Sequence, residues 1–328
     1  MRNINECLQP LLDTERLAQL ARYIHDAMRT NPGKTDTVST LAALYPRYDR
    51  YLPDIFNAIK ALDYSSLKAQ VYKRRRSQYK SLKTCFKNNR QFEVSQSWSQ
   101  FQIVNRSKDS VALRELLLSI DSAIEQGELL KSCKATTVSL YTMGNGQRVI
   151  IKRYNPKSTL HSLKRSLILS RARVCWQGAL HLAAMGIATP ENLAMLEKRQ
   201  GKWIHYSYVV TEHSEGKTLG SYCSEENNCT IRGNVYRELE DIFVTFPQVL
   251  IAHGDFKSTN FIVENSRVLM IDLDSMKTHR SHCIFRGTYL RDIDRFERNW
   301  GNAPEAERLF RPLINDIRRL LNREIILG

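Results

Sequence analysis

The sequence predicts an α+β chain of two lobes behind an additional N-terminal helical region. Three observations predict it. A strand-rich block of about a hundred residues precedes a helix-rich block, with the change near residue 215. Strands and helices are grouped rather than alternating, which argues against a parallel βαβ sheet. A polar loop, His253-Gly254-Asp255-Phe256-Lys257-Ser258-Thr259-Asn260, sits between two short apolar runs, and an acidic pair in Asp272-Leu273-Asp274 follows it. The expected divisions are 1–110 for a helical, basic region, 111–215 for a strand-rich lobe with one long helix, and 216–328 for a helical lobe carrying the loop.

Each element has its own signal. Leu8, Leu11, Leu12, Leu17 and Leu20 begin an amphipathic stretch that Asn31-Pro32-Gly33-Lys34 breaks. Residues up to about 110 read as helix without strand alternation. Residues 64–92 hold nine Lys or Arg and no acid, interleaved with Tyr64, Tyr72, Tyr79 and Phe86. Such a run is a solvated helix face or a docking surface for an anionic partner. From Gly127 the pattern turns to strands: Gly127–Cys133, Thr136–Met143 and Gln147–Tyr154, the last two joined by Gly144-Asn145-Gly146, a tight-turn signal. Residues 158–186 read as one long helix, followed by strands near 193–198 and 203–212. Ile231, Val235, Leu239, Ile242, Phe243 and Phe246 share a helix face before Pro247. Short strands at 261–264 and 267–272 and helices near 286–298 and 303–323 complete the chain.

Composition narrows the classes. The 328 residues suit about two domains at ~150 residues each. Lys plus Arg number 49 against 34 Asp plus Glu, a net charge of +15, which favours anionic partners. Seven scattered cysteines without a CxxC exclude metal-knuckle spacing and argue against a disulfide framework. Reduced, cytoplasmic thiols are expected. The first residues lack the apolar core of a secretory signal. No apolar run approaches the ~18 residues of a membrane span, so membrane contact is expected to be peripheral.

The chemistry concentrates in the polar loop. An Asp, a Lys two residues on and an Asn five residues on have the spacing of a kinase catalytic loop. Asp255 would accept or orient an acceptor hydroxyl proton, Lys257 would offset charge on the transferred phosphate, and Asn260 would bind Mg²⁺ through its amide oxygen. The alternative is an ordinary turn capping a helix. Asp272 follows the apolar Val268-Leu269-Met270-Ile271 and is the second candidate Mg²⁺ ligand. Asp274 is a further metal or substrate contact, or only a loop charge. Lys152, closing Val149-Ile150-Ile151-Lys152, is placed to meet the phosphates of ATP. Glu212 and the next residues would hold adenine through backbone groups. His253 is expected to position the loop, and Asp292 to make a local salt bridge.

Two usual parts are missing. Ser132-Cys133-Lys134-Ala135-Thr136 has no glycine where a phosphate loop should lie. No Asp or Glu occurs between Glu128 and Glu191, so the long helix offers Lys152 no acid. Gln177 could substitute, or the acid could come from elsewhere. The same interval carries ten cations: Lys131, Lys134, Arg148, Lys152, Arg153, Lys157, Lys164, Arg165, Arg171 and Arg173. Such a field suits an anionic acceptor, or is a generic basic surface.

The segments VIIKRYNPKS (149–158), SRARVCW (170–176), LAAMGIATP (182–190), AMLEKR (194–199) and YVVTEHSEG (208–216) carry a resemblance. With the HGD loop, IDLD and Arg291-Asp292-Ile293, the chain resembles the lipopolysaccharide core kinases over roughly residues 125–300. The resemblance implies a bilobal protein-kinase-like fold and ATP and Mg²⁺ as cofactors. It implies transfer of phosphate to Kdo or heptose of a lipid-linked, anionic core oligosaccharide. It places the protein on the anionic surface of the inner membrane, at its cytoplasmic face, with no nucleic-acid partner. It gives Asp255, Asn260, Asp272 and Lys152 the family's base, metal and ATP roles, and Lys257 that of the loop lysine. The alternatives are a protein Ser/Thr kinase, against which the lack of an APE-like signature counts, and a catalytically degraded pseudokinase or binding scaffold.

Overall fold

The computed structural model describes residues 84–155, 169–225, 234–301 and 303–323. The chain divides into two compact units, Met1–Lys80 and Ser81–Gly328, and every described residue belongs to the second. The amphipathic stretch at 8–20, residues 64–83 of the basic run, and Lys157, Lys164 and Arg165 lie outside the described residues. So do the first part of the helix expected at 158–186 and Ile231.

The second unit is α+β and is built on a seven-stranded, wholly antiparallel sheet. Its strands are β1 (Phe92–Gln96), β2 (Gln100–Asn105), β3 (Glu128–Cys133), β4 (Thr136–Thr142), β5 (Arg148–Tyr154), β6 (Asn192–Gln200) and β7 (Trp203–Glu212). They lie in the order β1-β2-β6-β7-β5-β4-β3. The expectation of helix through residue 110 is corrected by β1 and β2. Phe92 and Val94, then Phe101 and Ile103, alternate with polar residues, a strand period in a segment whose polarity suggested a solvated helix. The β4–β5 turn forms at Gly144-Asn145-Gly146, with Gly146 at φ +83, a region that side chains with a Cβ rarely adopt.

Two short helices, α1 (Val111–Leu118) and α2 (Ile120–Gln126), cover one face of this sheet. Leu113, Leu116, Leu117, Ile120 and Ile124 pack there on Val149, Ile151, Leu196 and Val210. The opposite face receives α3 (Arg171–Ala184), whose Trp176 and Leu182 join Phe101, Met195, Tyr154 and Val209 in the main core. The two-residue period of β5 divides its side chains between these faces. Val149 and Ile151 go to α1 and α2, and Lys152 and Tyr154 go toward α3.

The helical part of the expectation shifts in its boundaries. Ser170 caps α3 by accepting the Arg173 N–H. A buried charge pair then fixes the helix to the sheet. Glu197 of β6, fully buried, receives Nε and Nη2 of Arg173 at 2.8 and 3.1 Å and the Ser170 hydroxyl at 2.5 Å. The remaining helices are α4 (Leu219–Glu225), α5 (Asn234–Val249), α6 (His282–Arg298) and α7 (Pro304–Arg323). Pro247 lies inside the last turn of α5 rather than ending it. Val235, Leu239, Ile242, Phe243 and Phe246 of α5 are buried, each such side chain stabilising the fold by about 1.5–3 kcal/mol. They meet Phe285, Tyr289 and Phe296 of α6 and Phe310 of α7 in the same core.

Two small sheets support the polar loop. β8 (Lys217–Thr218), β10 (Phe261–Glu264) and β11 (Arg267–Met270) form one, and β9 (Ile251–Ala252) and β12 (Lys277–Thr278) form the other. β11 ends at Met270, two residues short of the expected strand, because Asp272 turns into the left-handed region at φ 62, ψ 47.

Candidate active site

The loop expected to carry chemistry is anchored at both ends and in its middle. β9 delivers it and β10 carries it back into the core. Between Asp255 and Lys257, the Phe256 ring is fully buried, edge-on to Phe243 and Phe261 with centroids 4.9 Å away in each case. Burying that ring leaves its two charged neighbours on the polar side. A 3₁₀ turn, Ser258–Asn260, then returns Asn260 beneath Asp255.

Asp255, Lys257 and Asn260 therefore meet. Asn260 Nδ2 donates to the Asp255 carbonyl at 2.7 Å and to its Oδ2 at 3.2 Å. The amide orientation this fixes leaves Asn260 Oδ1 without a hydrogen bond among the described residues. Lys257 Nζ lies 3.1 Å from Asp255 Oδ2, and Arg295 Nη2 of α6 lies 2.6 Å from Oδ1. Arg295 escaped the sequence analysis; no local signal links it to a loop forty residues earlier.

His253 is wholly buried and ties the loop to the acidic segment. Its Nδ1 accepts the Asp255 N–H at 3.3 Å, so Nε2 carries the proton and donates to the Ile271 carbonyl at 3.1 Å. Burial lowers its pKa below the ordinary histidine value, consistent with a neutral ring in a positioning role. Ile271 N–H in turn donates to the Asn260 carbonyl at 3.0 Å. Asp272 is thus held one residue from the loop's own hydrogen bonds.

Asp292 departs from the local salt bridge expected of it. Its carboxylate is buried and accepts the His253 N–H at 2.7 Å and the Gly254 N–H at 3.0 Å. Burial pushes its pKa up to about 6, against the lowering effect of those two N–H groups. Because the folded value exceeds the ordinary 3.8, ionised Asp292 costs stability. That cost is absent below about pH 4 and complete above about pH 6. Relative to Asp292→Asn, the wild-type unfolding free energy should therefore fall by about 2–3 kcal/mol across that window. Urea unfolding of both proteins from pH 4 to pH 7 checks this, and parallel profiles would contradict it.

Lys152 finds its acids in the segment after β11, not in α3. It pairs with Asp272 and lies 3.1 Å from Asp274 Oδ2. Burial works against the charged ammonium, yet Asp274 and Asp272 outweigh it and hold the Lys152 pKa above the ordinary value. Burial likewise works against the Asp272 carboxylate, and Lys152 outweighs it and keeps that pKa low. Asp274 is buried, so it is no free loop charge. The helix contributes a cation instead of an acid: Arg171 Nη2 lies 2.7 Å from Asp274 Oδ2, and Nη1 donates to Thr136 Oγ1 at 3.2 Å. The Tyr154 ring packs against both cations, with its centroid 5.1 Å from Lys152 Nζ and 4.8 Å from the Arg171 guanidinium.

The acid-free interval is also less of a free field than its sequence suggests. Arg148 pairs with Glu215, Arg153 with Asp121, Arg171 with Asp274 and Arg173 with Glu197. Lys131 and Lys134, around the β3–β4 turn, have no ion-pair partner among the described residues.

Glu212, at the end of β7, takes Lys108 Nζ at 2.9 Å, and Lys108 also lies 2.8 Å from Glu191. The Glu212 N–H donates to the Glu191 carbonyl at 3.0 Å and the His213 N–H to the Arg148 carbonyl at 3.3 Å. The Glu215 N–H goes to Glu264 at 2.8 Å and the Gly216 N–H to Ser214 Oγ at 3.4 Å. Of the backbone donors from 212 to 216, that of Ser214 alone lacks a partner among the described residues. Those residues contain no group of three or more His, Cys, Asp or Glu able to hold a metal by themselves. They include no helix long and apolar enough to cross a membrane.

No protein-family model matches the chain, and no curated protein matches it either. Among solved structures, the chain is similar to WaaP in complex with acyl carrier protein. The sequences are 17% identical, the TM-score is 0.39, and the match covers 62% of this chain and 91% of that one.

Proposed function

We propose that this chain is a kinase of protein-kinase-like, bilobal architecture, transferring the γ-phosphoryl group of ATP to a sugar hydroxyl. One observation carries the proposal. The loop triad Asp255, Lys257 and Asn260 is joined through His253 and Ile271 to the Lys152–Asp272–Asp274 cluster, so base, cation and metal-ligand types occupy one connected site. Asp255 orients the acceptor hydroxyl and takes its proton. Its carboxylate is held by Arg295, Lys257 and Asn260. Lys257 then turns toward charge on the transferred group.

Asn260 Oδ1 and Asp272 would hold Mg²⁺, which would supply neutralisation of the nucleotide's phosphate charge. Two protein oxygens suffice, because Mg²⁺ in such sites keeps water and phosphate as its other ligands. Lys152 and Arg171, already drawn to Asp272 and Asp274, are the cations that face the nucleotide's phosphates. Arg171 thereby does part of what a glycine-rich loop would do at the glycine-free β3–β4 turn. The Ser214 N–H is the backbone donor of this segment left for the adenine.

The acceptor we propose is Kdo or heptose in the inner core of a lipid-linked, anionic oligosaccharide. It rests on the resemblance of KRYNPKS and SRARVCW to the core kinases, and Lys131 and Lys134 supply unpaired positive charge beside the site. The protein would work as a peripheral protein at the cytoplasmic face of the inner membrane. Incubation with labelled ATP, Mg²⁺ and purified core glycolipid should label the glycolipid. Efficient labelling of protein or a soluble small molecule, with none on the glycolipid, would overturn the acceptor. The pairing of Lys152 with Asp272 and the glycine-free turn favour one second reading, a pseudokinase that binds nucleotide without turnover. Saturable ATP binding with no transfer to any acceptor would establish it.

A further inference from the structure

The chain has four tryptophans. Trp176 and Trp300 are buried, whereas Trp98 and Trp203 are 77% and 48% exposed. Solitary exposed aromatic residues are ordinary on a protein surface, but these two are not solitary. Trp98 sits in the β1–β2 turn, where Ser97 N–H closes on the Gln100 carbonyl at 2.8 Å. Trp203 starts β7 just after the Gly201-Lys202 turn. Because β2 pairs with β6, the two hairpin tips lie side by side. Arg199 N–H donates to the Ser99 carbonyl and Gly201 N–H to the Trp98 carbonyl, each at 2.8 Å. Gly201 is at φ +60, and a Cβ there would stand 2.9 Å from the Trp98 ring. The indole is thus packed over a glycine turn and still largely open to solvent.

The two chain segments that form the tips carry charge of one sign. No Asp or Glu occurs from Val94 to Lys108 or from Lys198 to Thr211, while Lys198, Arg199, Lys202 and His205 lie in the second span. Two carboxylates come near from other positions. Asp121 of α2 pairs with Lys198 and stands 3.6 Å from Arg153, and Glu197 is buried on Arg173. Lys202 and Arg199 have no ion-pair partner among the described residues. Farther along β7, Tyr206 is exposed and lies under the Arg153 guanidinium, 5.5 Å from its ring centroid.

We propose that the paired tips carrying Trp98 and Trp203 form a docking surface for an anionic phospholipid bilayer. Indole rings favour the headgroup boundary, where an apolar body and one N–H donor are both satisfied. Unpaired cations beside them are attracted by the negative surface potential. A rigid sheet supplies the projection. Thr136, Tyr154, Ser207 and Glu197 form one row across β4, β5, β7 and β6, and the Gly201-Lys202 turn lies beyond that row at the same end as the Lys134-Ala135 turn. Docking would therefore bring the β3–β4 end of the sheet, with Lys131 and Lys134, to the lipid. That this end receives a lipid-linked acceptor rests on the proposed phosphotransfer; the docking surface itself does not.

The test uses the full chain, without nucleotide. It should sediment with vesicles of phosphatidylglycerol in phosphatidylcholine and not with phosphatidylcholine alone, and its tryptophan emission should shift to the blue. The double variant Trp98→Ser, Trp203→Ser should bind about tenfold more weakly, or about 1.4 kcal/mol. Lys202→Glu should bind the anionic vesicles more weakly than wild type, by a factor that grows as salt is lowered. Circular dichroism and the urea midpoint of each variant should match wild type, since both indoles are exposed. Undiminished binding by the double variant, or equal binding of wild type to neutral vesicles, would overturn the proposal. So would a blue shift produced by soluble core oligosaccharide but not by vesicles, which would make the tips a sugar platform. A lipid-free dimer lost in the double variant would make them a self-association surface. Vesicle binding needs no turnover, so an inactive protein that docks would refute the phosphotransfer and leave the surface standing.

Discussion

Asp255→Ala should lower kcat about 10³-fold, within the range a positioned general base supplies, while nucleotide affinity changes little. The second half follows from the geometry. Lys152 and Arg171 are held by Asp272, Asp274 and the Tyr154 ring, and none of these groups makes a hydrogen bond or ion pair with the Asp255 side chain. Removing the carboxylate frees Arg295 and Lys257, which lie toward solvent and rehydrate. Asp255→Asn separates chemistry from structure. It keeps the shape and one acceptor for Asn260 but takes up no proton, so it should be nearly as inactive and more stable than the alanine variant. Initial rates with core glycolipid, together with ATP titration by calorimetry, would decide it. Normal turnover by either variant would remove Asp255 from the mechanism.

Gly254→Ala should destabilise the protein by about 3–4 kcal/mol and cost about 10²-fold in kcat, though it touches no reacting group. Gly254 is at φ +82, and an added Cβ would lie 2.6 Å from the Ser275 carbonyl oxygen. The left-handed backbone alone costs an L-residue roughly 1–2 kcal/mol, and a backbone oxygen cannot swing aside as a flexible side chain can. Relief requires the loop to move, which would break the paired N–H bonds of His253 and Gly254 to Asp292. A displacement near 1 Å in a catalytic loop commonly costs about 10²-fold. Thermal unfolding and kcat measured on one preparation test both halves. Wild-type stability with lost activity would show that the loop has moved without strain, contrary to this account.

The spacing of Asp255, Lys257 and Asn260 was legible because it is local: eight consecutive residues, a buried phenylalanine and two apolar flanks bring those groups together. The same holds for the β4–β5 hairpin and the buried face of α5, whose periods and turn residues are read within one element. β1 and β2 show where locality misleads. Their alternation is present, but their place in the sheet depends on β6, almost a hundred residues later.

Charge partners lay beyond sequence reasoning for the same cause. Lys152 meets Asp272 across 120 positions and Arg171 meets Asp274 across 103. An interval without acids therefore looked like a free basic field, while most of its described cations are neutralised by carboxylates from other elements. Arg295 and Asp292 follow this rule too, since both reach the loop from α6. The sequence by itself determined which chemical groups the loop holds, because five peptide units fix their spacing. Tertiary structure alone decided which charges face one another and which indoles remain in solvent, because those follow from how separate elements pack.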